Sequence, residues 1–155
     1  MSRDLTMSVI IPTRKRPGDL RRCVHSIEKQ SRMADEVLVV IGPEDDVSIS
    51  VFDEYVKNNQ SWLSIYCPKP SVVTALNLGI AASTGDVIVF IDDDAEASVD
   101  WLKILESHYL RSNDVFAVGG RDRIIYPEHP ELSYITSPIP SNRVGKISWK
   151  GDIWG

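Results

Sequence analysis

"VIVFIDDDAE", residues 87–96, sets five apolar residues directly against three aspartates. Residues 87–91 read as a buried strand, entered through the turn residues Thr84, Gly85 and Asp86. Three like charges side by side repel one another, so the arrangement is costly unless something positive sits there. Whether this strand stands alone or belongs to a repeating pattern decides the fold.

The pattern repeats. Residues 7–12, "MSVIIP", form a short β-branched run closed by a proline. Pro17 then suits the first turn of a helix, on which Leu20, Cys23, Val24 and Ile27 share one face. Residues 36–41, "EVLVVI", predict a second strand stopped by Gly42-Pro43, followed by a helix over 47–56. A third strand is expected near 63–66, ended by Pro68 and Pro70. A helix over 72–82 follows, with Val73, Leu76 and Ile80 expected on its inner side. After the aspartates a helix is expected over 99–110, with Leu102, Leu105 and Tyr109 facing inward, and "VFAVGG", 115–120, predicts a fifth strand. Strand and helix thus alternate to residue 120. Near-continuous apolar strands fit an α/β, Rossmann-like, mainly parallel sheet with helices on both faces. In such sheets ligands bind beyond the carboxyl ends of the strands, where residues 13–16, 42–46 and the aspartates fall.

Residues 121–155 differ, with four of the nine prolines and no convincing helix; 144–150 could be one further strand. The organisation expected is an α/β domain over 1–120 and a Pro-rich extension over 121–155. A chain of 155 residues with net charge −5 argues for one ordinary domain and against a nucleic-acid scaffold. No apolar run reaches the roughly 20 residues that span a bilayer, and residues 1–11 do not read as a secretory signal. Cys23 and Cys67 have no disulfide or zinc spacing and read as reduced thiols of a cytoplasmic protein. Association with the inner face of a membrane is left open.

A carboxylate cluster at a strand end suits a hard cation, Mg²⁺ or Mn²⁺, which one or two carboxylates plus substrate phosphates can hold. If the strand continued, Asp92 and Asp94 would project to one side and Asp93 to the other. The plainer alternative is a polar strand-to-helix connection whose aspartates cap backbone amides. There is no G-x-x-x-x-G-K-[ST], no G-x-G-x-x-G after the first strand and no EF-hand spacing. His25, His108 and His129 lack metal-ligand spacing and read as surface or packing residues.

Together "SVIIPTRKRP" (8–17), "EVLVV" (36–40), "ALNLGIAASTGDVIVFIDDDA" (75–95) and "WLKIL" (101–105) resemble the family-2 glycosyltransferases of the A-type, nucleotide-sugar-binding fold. The resemblance implies a donor-binding domain over 1–120, with 121–155 beginning an acceptor-side half that is incomplete. It implies that Pro12 and Thr13 line a nucleobase pocket with Arg14 nearby. Asp92 would contact ribose or metal, Asp93 would lie near the donor sugar, and Asp94 would be the principal metal ligand, with Mn²⁺ or Mg²⁺ as cofactor. Gly79 would allow close packing, and Asn77 would bond either backbone or donor. The implied reaction is transfer of the sugar to an acceptor hydroxyl, saccharide, lipid-linked or protein, with inversion and with a carboxylate as base.

The chain departs from the family pattern twice. An acidic pair such as "VVDDGS" often follows the second strand, whereas here "VVIGPEDD" puts Ile41 and Gly42 in those places. One of Glu44, Asp45 and Asp46 would substitute, or base recognition differs from the family's, or else these acids mark a solvated helix N-terminus. No catalytic base is assigned, since Asp122, Glu128, Glu131 and Asp152 stand in no matching motif. Trp149 and Trp154 point to a packing partner, either further chain or a second subunit, or else fold back on the sheet. The alternatives are a donor-binding or assembly module without turnover and, lower, a nucleotidyltransferase, for which "PTRKRPGD" has the bases but only Gly18. An aspartyl phosphohydrolase is discounted because position 96 is Glu.

Overall fold

The computed structural model describes residues 5–112, 114–120, 123–124 and 134–135. The chain divides into two compact units between Ile104 and Leu105. The first unit holds β1 (Met7–Thr13), α1 (Pro17–Glu28), β2 (Glu36–Ile41), α2 (Asp46–Val56), β3 (Trp62–Tyr66), α3 (Val72–Ala82) and β4 (Val87–Phe90). Helix α4 (Trp101–Arg111) begins in it and runs into the second unit, where β5 (Arg123–Ile124) pairs antiparallel with β6 (Tyr134–Ile135). No helix among the described residues is long and apolar enough to cross a membrane.

The four long strands form one parallel sheet in the order β3-β2-β1-β4. β1 and β2 are central and buried along almost their whole length, which is why both read as unbroken apolar runs. The chain runs one way through β1, β2 and β3, then back past β1 to β4. That reversal puts α1 and α2 on one face and α3 on the other. Leu20, Cys23, Val24 and Ile27 are all buried on α1, as the helical spacing requires. Trp62 of β3 stacks on Phe52 and Tyr55 of α2, each pair at a ring separation of 6.1 Å.

At the amino ends of the strands Glu36 is buried but fully employed. It accepts hydrogen bonds from the Ser8 hydroxyl (2.6 Å) and from the Thr84 amide (3.0 Å) and hydroxyl (3.1 Å). This network ties β1, β2 and the turn before β4 together at the end of the sheet away from the aspartates.

Two expectations are corrected. Val73 and Ile80 of α3 are exposed, and Leu76 is only partly buried; the face against the sheet is Ala75 and Gly79. A Cβ at Gly79 would sit 2.5 Å from Ile10 Cγ2, so the helix lies too close to β1 for a larger residue. α3 is apolar nearly all round, so periodicity alone could not choose its inner face. The second correction is the fifth strand. Residues 115–120 pair with no strand among the described residues, and Phe116 is 72% exposed. An apolar run becomes a strand only where another strand offers hydrogen-bond partners. Smaller shifts are β4 ending at Phe90 and α4 beginning at Trp101, where Leu102 and Leu105 are buried and Tyr109 half-buried. The strand expected over 144–150, the carboxylates 122, 128, 131 and 152, His129 and both late tryptophans lie outside the described residues.

Candidate functional site

A pocket of about 170 Å³ opens at the carboxyl ends of the parallel strands. Pro12 and Thr13 reach it from β1, with Arg14 and Arg16 just beyond. Gly42 comes from the end of β2, Cys67 and Lys69 from the end of β3, Val72 and Ala75 from the start of α3, and Asp92 from the end of β4. Strand order reverses between β1 and β4, and open α/β sheets bind ligands at such a point because the two flanking connections diverge there.

The three aspartates have different surroundings. Asp92 is exposed and lines the pocket. Asp93 is fully buried, accepts a hydrogen bond from the Thr13 hydroxyl at 2.7 Å and lies 2.7 Å from Arg16 Nη2. Asp94 is more than half exposed and accepts from Arg16 Nη1 at 2.8 Å. The positive charge that the repulsion demanded is therefore Arg16, which joins two of the three carboxylates. Burial pushes the Asp93 carboxyl above its ordinary range, against the lowering effects of the Thr13 hydrogen bond and the Arg16 charge.

The loop between β1 and α1 is held from the other side. Lys15 has φ 56°, a left-handed conformation that a side chain makes unfavourable. Its amide donates to the Asp45 carboxylate, its Nζ lies 3.2 Å from Glu44, and Asp45 also caps α2 by accepting from the Ser48 amide at 3.2 Å. The loop after the aspartates is anchored to α1. The Ala97 amide donates to Ser26 Oγ at 2.9 Å, the Cys23 thiol donates to the Asp92 carbonyl at 3.4 Å, and the buried Gln30 bonds both the Ser98 carbonyl and the Leu102 amide.

Of the residues singled out in the sequence, Pro12, Thr13, Arg14 and Asp92 meet in the pocket, and Asp93 sits behind it, bonded to Thr13. Asp94 does not line it. The expectation that Asp92 and Asp94 share one side of an extended strand is corrected, because β4 stops at Phe90 and residues 93–94 form a turn. Glu44, Asp45 and Asp46 do not line the pocket either; Asp45 is a helix cap, as the alternative reading had it. Asn77 is exposed and away from the pocket. Sequence reasoning passed over Cys67 and Lys69, and it placed Arg16 and Gly42 at the ligand-binding edge without giving either a role. The only sign of Arg16 was the basic run after β1, which could not say which cation turns toward the aspartates.

Among the described residues no three His, Cys, Asp or Glu side chains are grouped to hold a metal ion. Asp92 alone of the three aspartates puts its carboxylate into the pocket, while Asp94 is exposed and paired with Arg16; an exposed carboxylate is the kind of donor a hard cation takes together with phosphate and water.

A family model for glycosyl transferase family 2 matches residues 8–153. The glucosyl-dolichyl phosphate glucuronosyltransferase of Haloferax volcanii is 27% identical over 118 residues, 75% of this chain and 38% of that protein. Among solved structures, the mannosyltransferase PcManGT from Pyrobaculum calidifontis, in complex with GDP-Man and Mn²⁺, superposes with TM-score 0.68 at 20% identity, covering 82% of this chain and 37% of that one. TarS from S. aureus in complex with UDP gives TM-score 0.62 at 19% identity, covering 78% and 35%. The chain therefore shares the glycosyltransferase A-type fold and spans less than two fifths of each of these proteins.

Proposed function

The chain belongs to glycosyl transferase family 2, and on that premise we propose that it binds a nucleotide-diphosphate sugar and serves its transfer to an acceptor hydroxyl with inversion, in the cytoplasm. Residues 1–120 are the donor-binding part and 121–155 the start of the acceptor side. The observation that carries this reading is the pocket at the strand-order reversal, walled by Pro12, Thr13 and Arg14 on one side and Asp92 on the other.

Asp92 and Asp94 would hold Mn²⁺ or Mg²⁺. When bound, the ion supplies positive charge beside the diphosphate, where negative charge grows as the sugar leaves. The protein's own part is positional. Thr13 and Arg16 fix Asp93, so the backbone between the two exposed aspartates is held in one conformation. Arg16, partly exposed, can exchange its Asp94 contact for a phosphate while keeping Asp93.

Calorimetric titration with UDP, GDP, dTDP and CDP, each with and without Mn²⁺, tests the reading. At least one should bind, more tightly with the metal, and Asp94→Ala should remove the metal-dependent part. Absence of binding by all four, or metal dependence that survives the substitution, would overturn it. Release of free sugar or transfer from the matching nucleotide sugar separates an enzyme from a module that binds donor without turnover.

A further inference from the structure

Resting on the donor reading above, we infer that Arg14, lying over Gly42, makes the pocket select a nucleobase with two adjacent hydrogen-bond acceptors, so that guanine or cytosine diphosphates are preferred to uracil or thymine ones.

Gly42 is buried at the end of β2, and its amide donates to the Thr13 carbonyl at 2.9 Å. A Cβ there would lie 2.8 Å from Arg14 Cγ and 3.0 Å from both Arg14 Cβ and Cδ. These are stem atoms, not the mobile end of the side chain. The arginine therefore runs across the glycine, and any side chain at 42 would displace it. Its guanidinium has no carboxylate partner among the described residues. Asp93 and Asp94 hold Arg16, and Glu44 holds Lys15.

The charges along the pocket are one-sided. Its single carboxylate among the described residues is Asp92, at the β4 end. Its cations are Arg14, Arg16 and Lys69; Arg14 lies over Gly42 at the end of β2 and Lys69 follows β3, beside Pro12, Cys67, Ala75 and the Ser71 hydroxyl that caps α3. The acidic residues that follow Gly42 in sequence are turned elsewhere, Asp45 into the cap of α2. If the diphosphate lies by Asp92, the base lies where the protein donates hydrogen bonds and has no carboxylate to accept one.

A guanidinium offers two parallel N–H groups, a match for guanine O6 and N7 or for cytosine O2 and N3. Uracil and thymine place an N–H between their two carbonyls, so a fork of guanidinium N–H groups set against that edge meets a donor where it needs an acceptor. Stacking does not reverse the order, since every base has a face for the guanidinium plane.

The test compares GDP, CDP, UDP and dTDP in Mn²⁺ with the full chain, its Arg14→Gln and Gly42→Asp variants, and pyrophosphate as a base-free probe. GDP or CDP should bind at least about tenfold more tightly than UDP and dTDP. Arg14→Gln should erase that margin and lower GDP or CDP affinity by a larger factor than it lowers pyrophosphate affinity. Gly42→Asp, by displacing the arginine and adding an acceptor, should move the preference toward UDP. Equal or tighter binding of UDP or dTDP by the unaltered chain, or an unchanged preference in Arg14→Gln, would overturn the inference and leave the donor reading intact. Failure of all four to bind would instead sink the donor reading and this one with it. Circular dichroism of each variant shows whether it is folded, and Arg14→Gln, an exposed change, keeps the test available should Gly42→Asp not fold.

Discussion

The Thr13 hydroxyl donates to the buried carboxylate of Asp93 at 2.7 Å, joining two residues 80 positions apart at the ends of adjacent strands. Thr13 is the last residue of β1, and Asp93 lies three residues beyond β4. The contact explains how a repelling cluster of aspartates is held still: one member is taken out of water, hydrogen-bonded by Thr13 and paired in charge with Arg16.

Removing that hydroxyl should therefore cost stability and affinity together. Thr13→Val leaves Asp93 buried with Arg16 as its remaining partner, an expected loss of about 1–3 kcal/mol in urea unfolding. Metal-dependent diphosphate binding should weaken as the loop loosens. Thr13→Ser, which keeps the hydroxyl, should restore most of both.

Glu36 offers the contrasting case. Its three hydrogen bonds lie at the amino ends of the strands, away from the pocket. Glu36→Ala should lower unfolding free energy by about 2–3 kcal/mol. At a temperature where the variant remains folded, nucleoside diphosphate affinity should not move by more than about twofold, because the lost contacts lie at the opposite end of the sheet and share no partner with the pocket.

The close approach of α3 to β1 predicts a third result. Gly79→Ala drives a methyl into Ile10, at an overpacking cost of about 1–3 kcal/mol, against a gain in helix propensity of about 1 kcal/mol. The variant should be less stable than the parent on balance. In a double-mutant cycle with Ile10→Ala the cost at 79 should shrink, because the colliding atoms are gone.

Cys23 should impose an alkaline limit. Burial, then the charges of Asp93 and Asp92, push its thiol from 9.0 up to about 12. The native state keeps this proton where the unfolded chain releases it, so the group's contribution is whole below pH 9 and declines as pH rises toward 12. The slope is about 1.4 kcal/mol per pH unit. Unfolding measured at pH 8, 9 and 10 should show that decline, and Cys23→Ala should flatten it. A thiol reagent at pH 8 should label Cys23 only as fast as the protein unfolds.

Much of this molecule was readable from its residues. Alternating strands and helices, all four parallel strands to within a residue, and the cluster at the tip of β4 all follow from short-range chemistry: apolar period, β-branching, proline and glycine punctuation. So did the meeting of Pro12, Thr13, Arg14 and Asp92, because parallel strands put their carboxyl ends at one edge. What local chemistry could not supply was pairing at a distance. The run at 115–120 is as apolar as the true strands but finds no partner strand among the described residues. Which face of α3 turns inward was settled by the space above Ile10, since its apolar residues surround the helix. Arg16 rather than a neighbouring cation reaches the aspartates because the turn at Lys15, held by Asp45 from the next crossover, aims it there. Composition and spacing determine which elements form, since each depends on neighbours along the chain. Which charge answers which, and which side chain lies over Gly42, depends on atoms brought close by folding, and only the tertiary structure decided it.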